Sequence, residues 1–147
     1  MHSSIICGVD GSPESRNALR IASELADALR LQLVVTHVAQ AAMFAPAYGS
    51  APVLTAPTVS ELRAAEELLE DLALDEELAN ATLRAVYGSP AEQLAELADE
   101  EDAAFIVVGS RGRGALKAAF LGSVSRDLIG IAPCPVLVVP SRVPVRS

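Results

Sequence analysis

A chain of 147 residues, 51% of them hydrophobic, is long enough to bury one full core and leaves little room for a second. Its formal charge of −8 argues against binding along a nucleic-acid backbone, and an aromatic content of 3% argues against stacking platforms for bases.

The N-terminal MHSSIICGVDGS has no basic region ahead of its apolar one, so it does not read as a signal peptide. Ile5 to Val9 is a short apolar run, predicted to be a strand, that ends in Asp10-Gly11-Ser12-Pro13. Ser12 suits an N-cap and Pro13 the first helical turn, so a helix should begin there. Alanines and leucines at 18, 19, 22, 25, 26 and 29 give that helix an apolar face. Leu31 to Val38 is β-rich and reads as the second strand, with His37 inside it as a core or strand-edge histidine instead of a catalytic base. From Val38 to Ser60 no residue is charged, but Pro46, Pro52 and Pro57 break the stretch, so it cannot be a spanning helix. Its middle, Gln40 to Pro57, is long for a loop and reads as a linker or lid in preference to a partner surface.

Thr58-Val59-Ser60-Glu61 offers a capping box, which predicts a helix running to about Asn80. Thr82 to Tyr87 is the third strand. Ser89-Pro90-Ala91-Glu92 repeats the cap, proline and glutamate device, and the helix it opens should end in the solvated acidic run at 99–102. Ala104 to Val108 and Pro135 to Val139 are the fourth and fifth strands. The two cysteines, Cys7 in the first strand and Cys134 between prolines, form no C-x-x-C pair and read as small buried residues of a reducing compartment. The expectation is a soluble cytoplasmic protein that engages neither nucleic acid nor membrane.

The order is therefore β-α-β-α-β-α-β-loop-α-β, with strands that are continuous apolar runs. Such strands, separated by helices, imply an α/β fold built on a doubly wound parallel sheet. Ligands bind such sheets beyond the carboxyl ends of the strands, where the strand order reverses. Asp10 follows the first strand and Gly109 ends the fourth, so neighbouring positions for those strands would bring both residues to one crevice.

The segment GSRGRGALKAAFLGSVS, residues 109–125, is the one candidate for chemistry. It is not a Walker A loop, because Ala115 stands where lysine is required, and Lys117 replaces the last glycine of a dinucleotide fingerprint. No G-x-S-x-G, H-E-x-x-H or zinc-ligand cluster occurs. What remains is G-x2-G-x9-G-S, formed by Gly109, Gly112, Gly122 and Ser123. Gly122 and Ser123 fall where the last helix begins, so free N–H groups and the positive dipole end favour an anion there. Ser123 and Ser125 add hydroxyls, and Arg111, Arg113, Lys117 and Arg126 add positive charge with no acid between Asp102 and Asp127. That suits a polyphosphate; a flexible, solubilising surface loop is the alternative the residues alone leave open.

At these residues the sequence resembles the universal stress protein family, in its ATP-binding branch. The resemblance spans nearly the whole chain: IICGVDGSPES, LQLVVTHV, FIVVGSRGRG, LGSVS and APCPVLVVP, with the family's G-x2-G-x9-G-[S/T] motif met without a gap. It implies a single five-stranded parallel sheet of order 3-2-1-4-5 with helices on both faces, and an adenine nucleotide in the crevice. Gly8, Val9 and Asp10 would border the nucleoside, Asp10 at the ribose hydroxyls, and Val38 would meet the adenine edge through its backbone. Val108, Gly109, Arg111 and Gly112 would line the nucleoside and phosphate side, and Gly122, Ser123, Val124 and Ser125 would hold the phosphates. The expected ligand is ATP, with room for Mg2+ between phosphates although no carboxylate pair calls for it. The resemblance further implies a homodimer paired through the C-terminal strand and a nucleotide-dependent switch in stress adaptation. Slow ATP hydrolysis or phosphotransfer, and a nucleotide-independent interaction module, are the rival functions.

Overall fold

The computed structural model describes residues 1–40, 43–44, 48–49, 51, 53–110 and 121–140. Five strands form the main sheet: β1 (Ser4–Val9), β2 (Gln32–Gln40), β5 (Thr82–Gly88), β6 (Ala103–Gly109) and β7 (Val136–Val139). Their spatial order is β5-β2-β1-β6-β7 and every pairing is parallel, so the expected 3-2-1-4-5 arrangement is the one observed. The helices are α1 (Pro13–Leu29), α2 (Val59–Ala73), α3 (Pro90–Glu100) and α4 (Ser123–Ile131).

Two cores result, one on each face of the sheet. Ile5, Cys7, Val9, Leu33, Val35 and Val107 pack against α1 and α2, while Ile6, Val34, Ile106 and Val108 pack against α3 and α4. The alternation along each strand sends neighbouring residues into opposite cores, so a strand with both faces covered must be apolar throughout. That holds for β1, β2 and β6 at the centre, with Ser4, Thr36 and His37 as polar exceptions. It fails at the edges, where β5 and β7 alternate between more and less exposed positions. Burial keeps both thiols protonated: it pushes Cys7 up to about 12 and raises Cys134 as well, an effect that a backbone hydrogen bond with Ile106 partly opposes. Both cysteines are free.

Two local expectations change, and a third segment gains detail. Helix α2 stops at Ala73 instead of near Asn80, because Asp75 accepts the Glu77 N–H at 3.0 Å and starts a separate 3-10 turn, Glu76–Leu78, that buries Leu78. Ser89 precedes α3 as expected but makes no side-chain cap. Its ψ of 119° falls some way short of the 158° and 162° at Ser12 and Thr58, whose oxygens do cap α1 and α2. In the segment from 40 to 57, expected to be linker or lid, β3 (Met43–Phe44) pairs antiparallel with β4 (Val53–Leu54).

Candidate functional site

The strand order reverses between β1 and β6, the point at which α1 leaves for one face and α4 lies on the other. Their register pairs Cys7 with Val107, so two residues further along each strand come Val9 and Gly109. The carboxyl ends of the two strands therefore lie side by side.

At the end of β1 the chain turns through Gly11, whose φ of +81° is left-handed and favours glycine. A set of hydrogen bonds fixes the turn. The Asp10 carboxylate accepts the Ser12 N–H at 2.9 Å, and the Asp10 N–H donates to Ser15 Oγ at 3.3 Å. The Ser15 hydroxyl donates to the Ser12 carbonyl at 2.9 Å, and the Ser15 N–H donates to Ser12 Oγ at 3.2 Å, capping α1. From β2, the His37 ring places Nδ1 2.8 Å from the Val9 carbonyl oxygen. A carbonyl oxygen only accepts, so the ring proton sits on Nδ1. His37 is thus the satisfied strand histidine expected.

Gly109, at the end of β6, is a glycine for a reason the sequence did not suggest. A Cβ there would lie 2.9 Å from both the carbonyl carbon and the Cβ of Glu14, so α1 can reach the sheet only over a bare backbone. At Gly8 such a Cβ would meet only side-chain atoms, Leu94 Cδ1 at 2.9 Å and Val108 Cγ1 at 3.3 Å, which can shift more readily. Neither glycine carries a left-handed φ.

Beyond Gly109 the backbone of Ser110 acts as a hub. Its N–H donates to the Val139 carbonyl at 2.8 Å, and its carbonyl accepts the Gly122 N–H at 2.6 Å. The Ser125 hydroxyl adds 3.3 Å and 3.1 Å contacts to the carbonyls of Ser110 and Gly122. These bonds pin the N-terminus of α4 beside the end of β6. Gly122 is its N-cap, with extended backbone at φ −70° and ψ 168°, and as a glycine it makes no side-chain cap of its own. The first turns of α1, α2 and α3 carry Glu14, Glu61 and Glu92, whereas the first turn of α4 carries no acid. A helix start with a glycine cap and no acid in its first turn has a positive dipole end of the kind that favours an anion.

Of the residues singled out from the sequence, Gly8, Val9, Asp10, Val108 and Gly109 meet at the paired strand ends. Val38 lies on β2 next door, half-buried, and Gly122, Ser123, Val124 and Ser125 are delivered by α4. Arg111 and Gly112 lie outside the described residues. Ser125 is fully buried and spends its hydroxyl on two carbonyls. Ser12, Ser15 and Ser110 were not foreseen as parts of the site. Only the first carries a readable signal, its place before Pro13. Among the described residues no three His, Cys, Asp or Glu side chains gather where they could hold a metal ion.

Residues 1–140 match the family model described as the universal stress protein family. The chain belongs to that family. A universal stress protein of Thermus aquaticus, encoded in the QAH/OAS sulfhydrylase 3′ region, is 32% identical over 139 residues, covering 95% of this chain and 99% of the relative. Among solved structures, the universal stress protein UspA of Lactobacillus plantarum superposes with a TM-score of 0.70 at 23% identity, covering 94% of this chain and 97% of that one. A universal stress protein solved in complex with cAMP gives 0.68 at 26% identity, covering 96% and 98%. This universal stress protein therefore shares its fold with relatives along almost their whole length. Among its described residues no helix is long and apolar enough to cross a membrane.

Proposed function

We propose that this universal stress protein binds an adenine nucleotide, ATP, across the carboxyl ends of β1 and β6, and that nucleotide-bound and free states differ in what they present to a partner in stress adaptation. The observation that carries this reading is the start of α4, glycine at its N-cap, free of acid in its first turn and tied by Ser110 to the point where the strand order reverses. The relative solved with cAMP supports an adenine nucleotide as the ligand class. In this reading the N–H groups of Ser123, Val124 and Ser125 receive phosphate oxygens, with the Ser123 hydroxyl beside them. The Ser125 hydroxyl keeps its inward bonds. Asp10 faces the ribose, and the Val38 backbone faces the base, with Gly8, Val9, Val108 and Gly109 beneath them and Arg111 and Gly112 on the phosphate side. A Mg2+ ion would be held mainly by phosphate oxygens, the usual habit of a cation that keeps much of its water.

Turnover is not part of the proposal beyond slow hydrolysis. In-line attack needs a base and a held water, and in this reading the Asp10 carboxylate serves the ribose instead. The proposal includes a twofold dimer through β7, the strand at the sheet edge that exposes Leu137.

Calorimetric titration tests the site. Gly122→Glu adds bulk and negative charge at the phosphate position, and the expected loss of ATP affinity is at least about tenfold, or about 1.4 kcal/mol. Unchanged affinity in a folded variant would exclude this site. Steady-state hydrolysis should stay far below the ~10 s⁻¹ typical of enzymes, and a rate near that value, abolished by Asp10→Ala, would replace the switch with an enzyme.

A further inference from the structure

The peptide unit joining Val9 to Asp10 is held at both of its polar ends by side chains. Its carbonyl accepts from His37 Nδ1 at 2.8 Å, and its N–H donates to Ser15 Oγ at 3.3 Å. These two anchors come from opposite sides, one from β2 and one from α1. Asp10 is the residue whose carboxylate this peptide aims, and the Ser12 N–H completes the arrangement by fixing one carboxylate oxygen at 2.9 Å.

Rotation of that one peptide plane would swing Asp10 away from the crevice and break the Ser15 contact at the same time. The next residue, Gly11, is in the left-handed region, so the turn itself offers little torsional resistance. The two anchors add resistance to that rotation. Ser15 is local to the turn and moves with α1, whereas His37 is carried by a strand paired to β1 with Val9 opposite His37. The histidine therefore references the turn to the rigid sheet.

We propose that His37 is a positioning residue for the nucleotide site: through its Nδ1–H bond to the Val9 carbonyl it locks the Val9–Asp10 peptide and so holds the Asp10 carboxylate in place for the ribose hydroxyls. This rests on the adenine-nucleotide reading for its ligand but not for its mechanics. The bond needs only a donor at the δ position of residue 37, which asparagine also supplies. Leucine fills similar space without a donor. A preformed carboxylate binds more tightly than one that must be ordered on binding.

The test compares His37→Leu and His37→Asn in the full chain, with His37→Ser, too short to reach Val9, replacing the leucine variant should that one not fold. Hydrogen exchange of the nucleotide-free protein is measured at the amides of Asp10 and Ser12. The leucine variant should exchange there at least about fivefold faster while the asparagine variant stays within about twofold of the parent. Titration with ATP should show the same pattern, an affinity loss of at least about fivefold restored by asparagine to within about twofold. In an Asp10→Ala background the leucine substitution should add less than about twofold, because the group it positions is gone. Unchanged exchange in the leucine variant overturns the positioning role, as does equal damage from leucine and asparagine. A full additional loss on top of Asp10→Ala overturns it too. A parent protein that binds no ATP while its exchange responds as described overturns the nucleotide reading and leaves the mechanical role of His37 standing.

Discussion

Gly109→Ala tests the claim that the first glycine of the motif serves the approach of a helix. The new methyl would stand 2.9 Å from the carbonyl carbon and the Cβ of Glu14 and 3.1 Å from its carbonyl oxygen. Ordinary carbon contacts are about 3.5–4.0 Å, so the start of α1 would have to retreat by roughly half an ångström or more. Backbone cannot rotate out of the way as a side-chain tip can, and α1 is anchored by Ala18, Leu19, Ala22 and Ala26 in the core. Overpacking of this kind costs about 1–3 kcal/mol. Restricting the unfolded chain returns about 0.4–1 kcal/mol, so the net loss should be about 1–2 kcal/mol, read as a lower urea midpoint at unchanged slope. Gly130→Ala is the control. Nothing lies within 4 Å of the position a Cβ would take at Gly130, which sits in α4, and there the same substitution should stabilise by about 0.5–1 kcal/mol. A Gly109→Ala protein as stable as the parent would refute the packing argument. If that stable protein had also lost ATP binding, the glycine would be there for the ligand.

Two further outcomes can be checked independently. Thr36 Oγ1, among the described residues, is a buried side-chain oxygen without a hydrogen-bond partner in a residue of 0% exposure, so Thr36→Val should raise stability by about 1 kcal/mol in a thermal melt; a drop of that size would mean that the hydroxyl is paired. Leu137 is 36% exposed on the edge strand β7, and light scattering at micromolar concentration should find a dimer for the parent and a monomer for Leu137→Lys, whereas a dimer that survives the lysine would move the interface elsewhere.

Much of this protein is legible in its sequence because its strongest signals are local. Ser12 before Pro13, and Thr58 three residues before Glu61, are caps whose partners lie within one turn, and both form as the chemistry demands. Apolar runs at β1, β2 and β6 report two-sided burial, so the parallel sheet and its central strands follow from residue type. The glycine motif marked where α4 begins. What the sequence could not contain is anything set by the approach of distant segments. Ser89 has the same local pattern as Ser12, yet its side chain makes no cap bond. Gly109 reads as a loop glycine, and no local pattern shows that Glu14, ninety-five positions earlier in the chain, packs against it. Nothing local says that the Ser110 carbonyl will receive the Gly122 N–H, or that His37 will reach the Val9 carbonyl. Those bonds exist only once the strands are side by side, because a hydrogen bond needs its partner within about 3 Å. Packing alone brings such residues together.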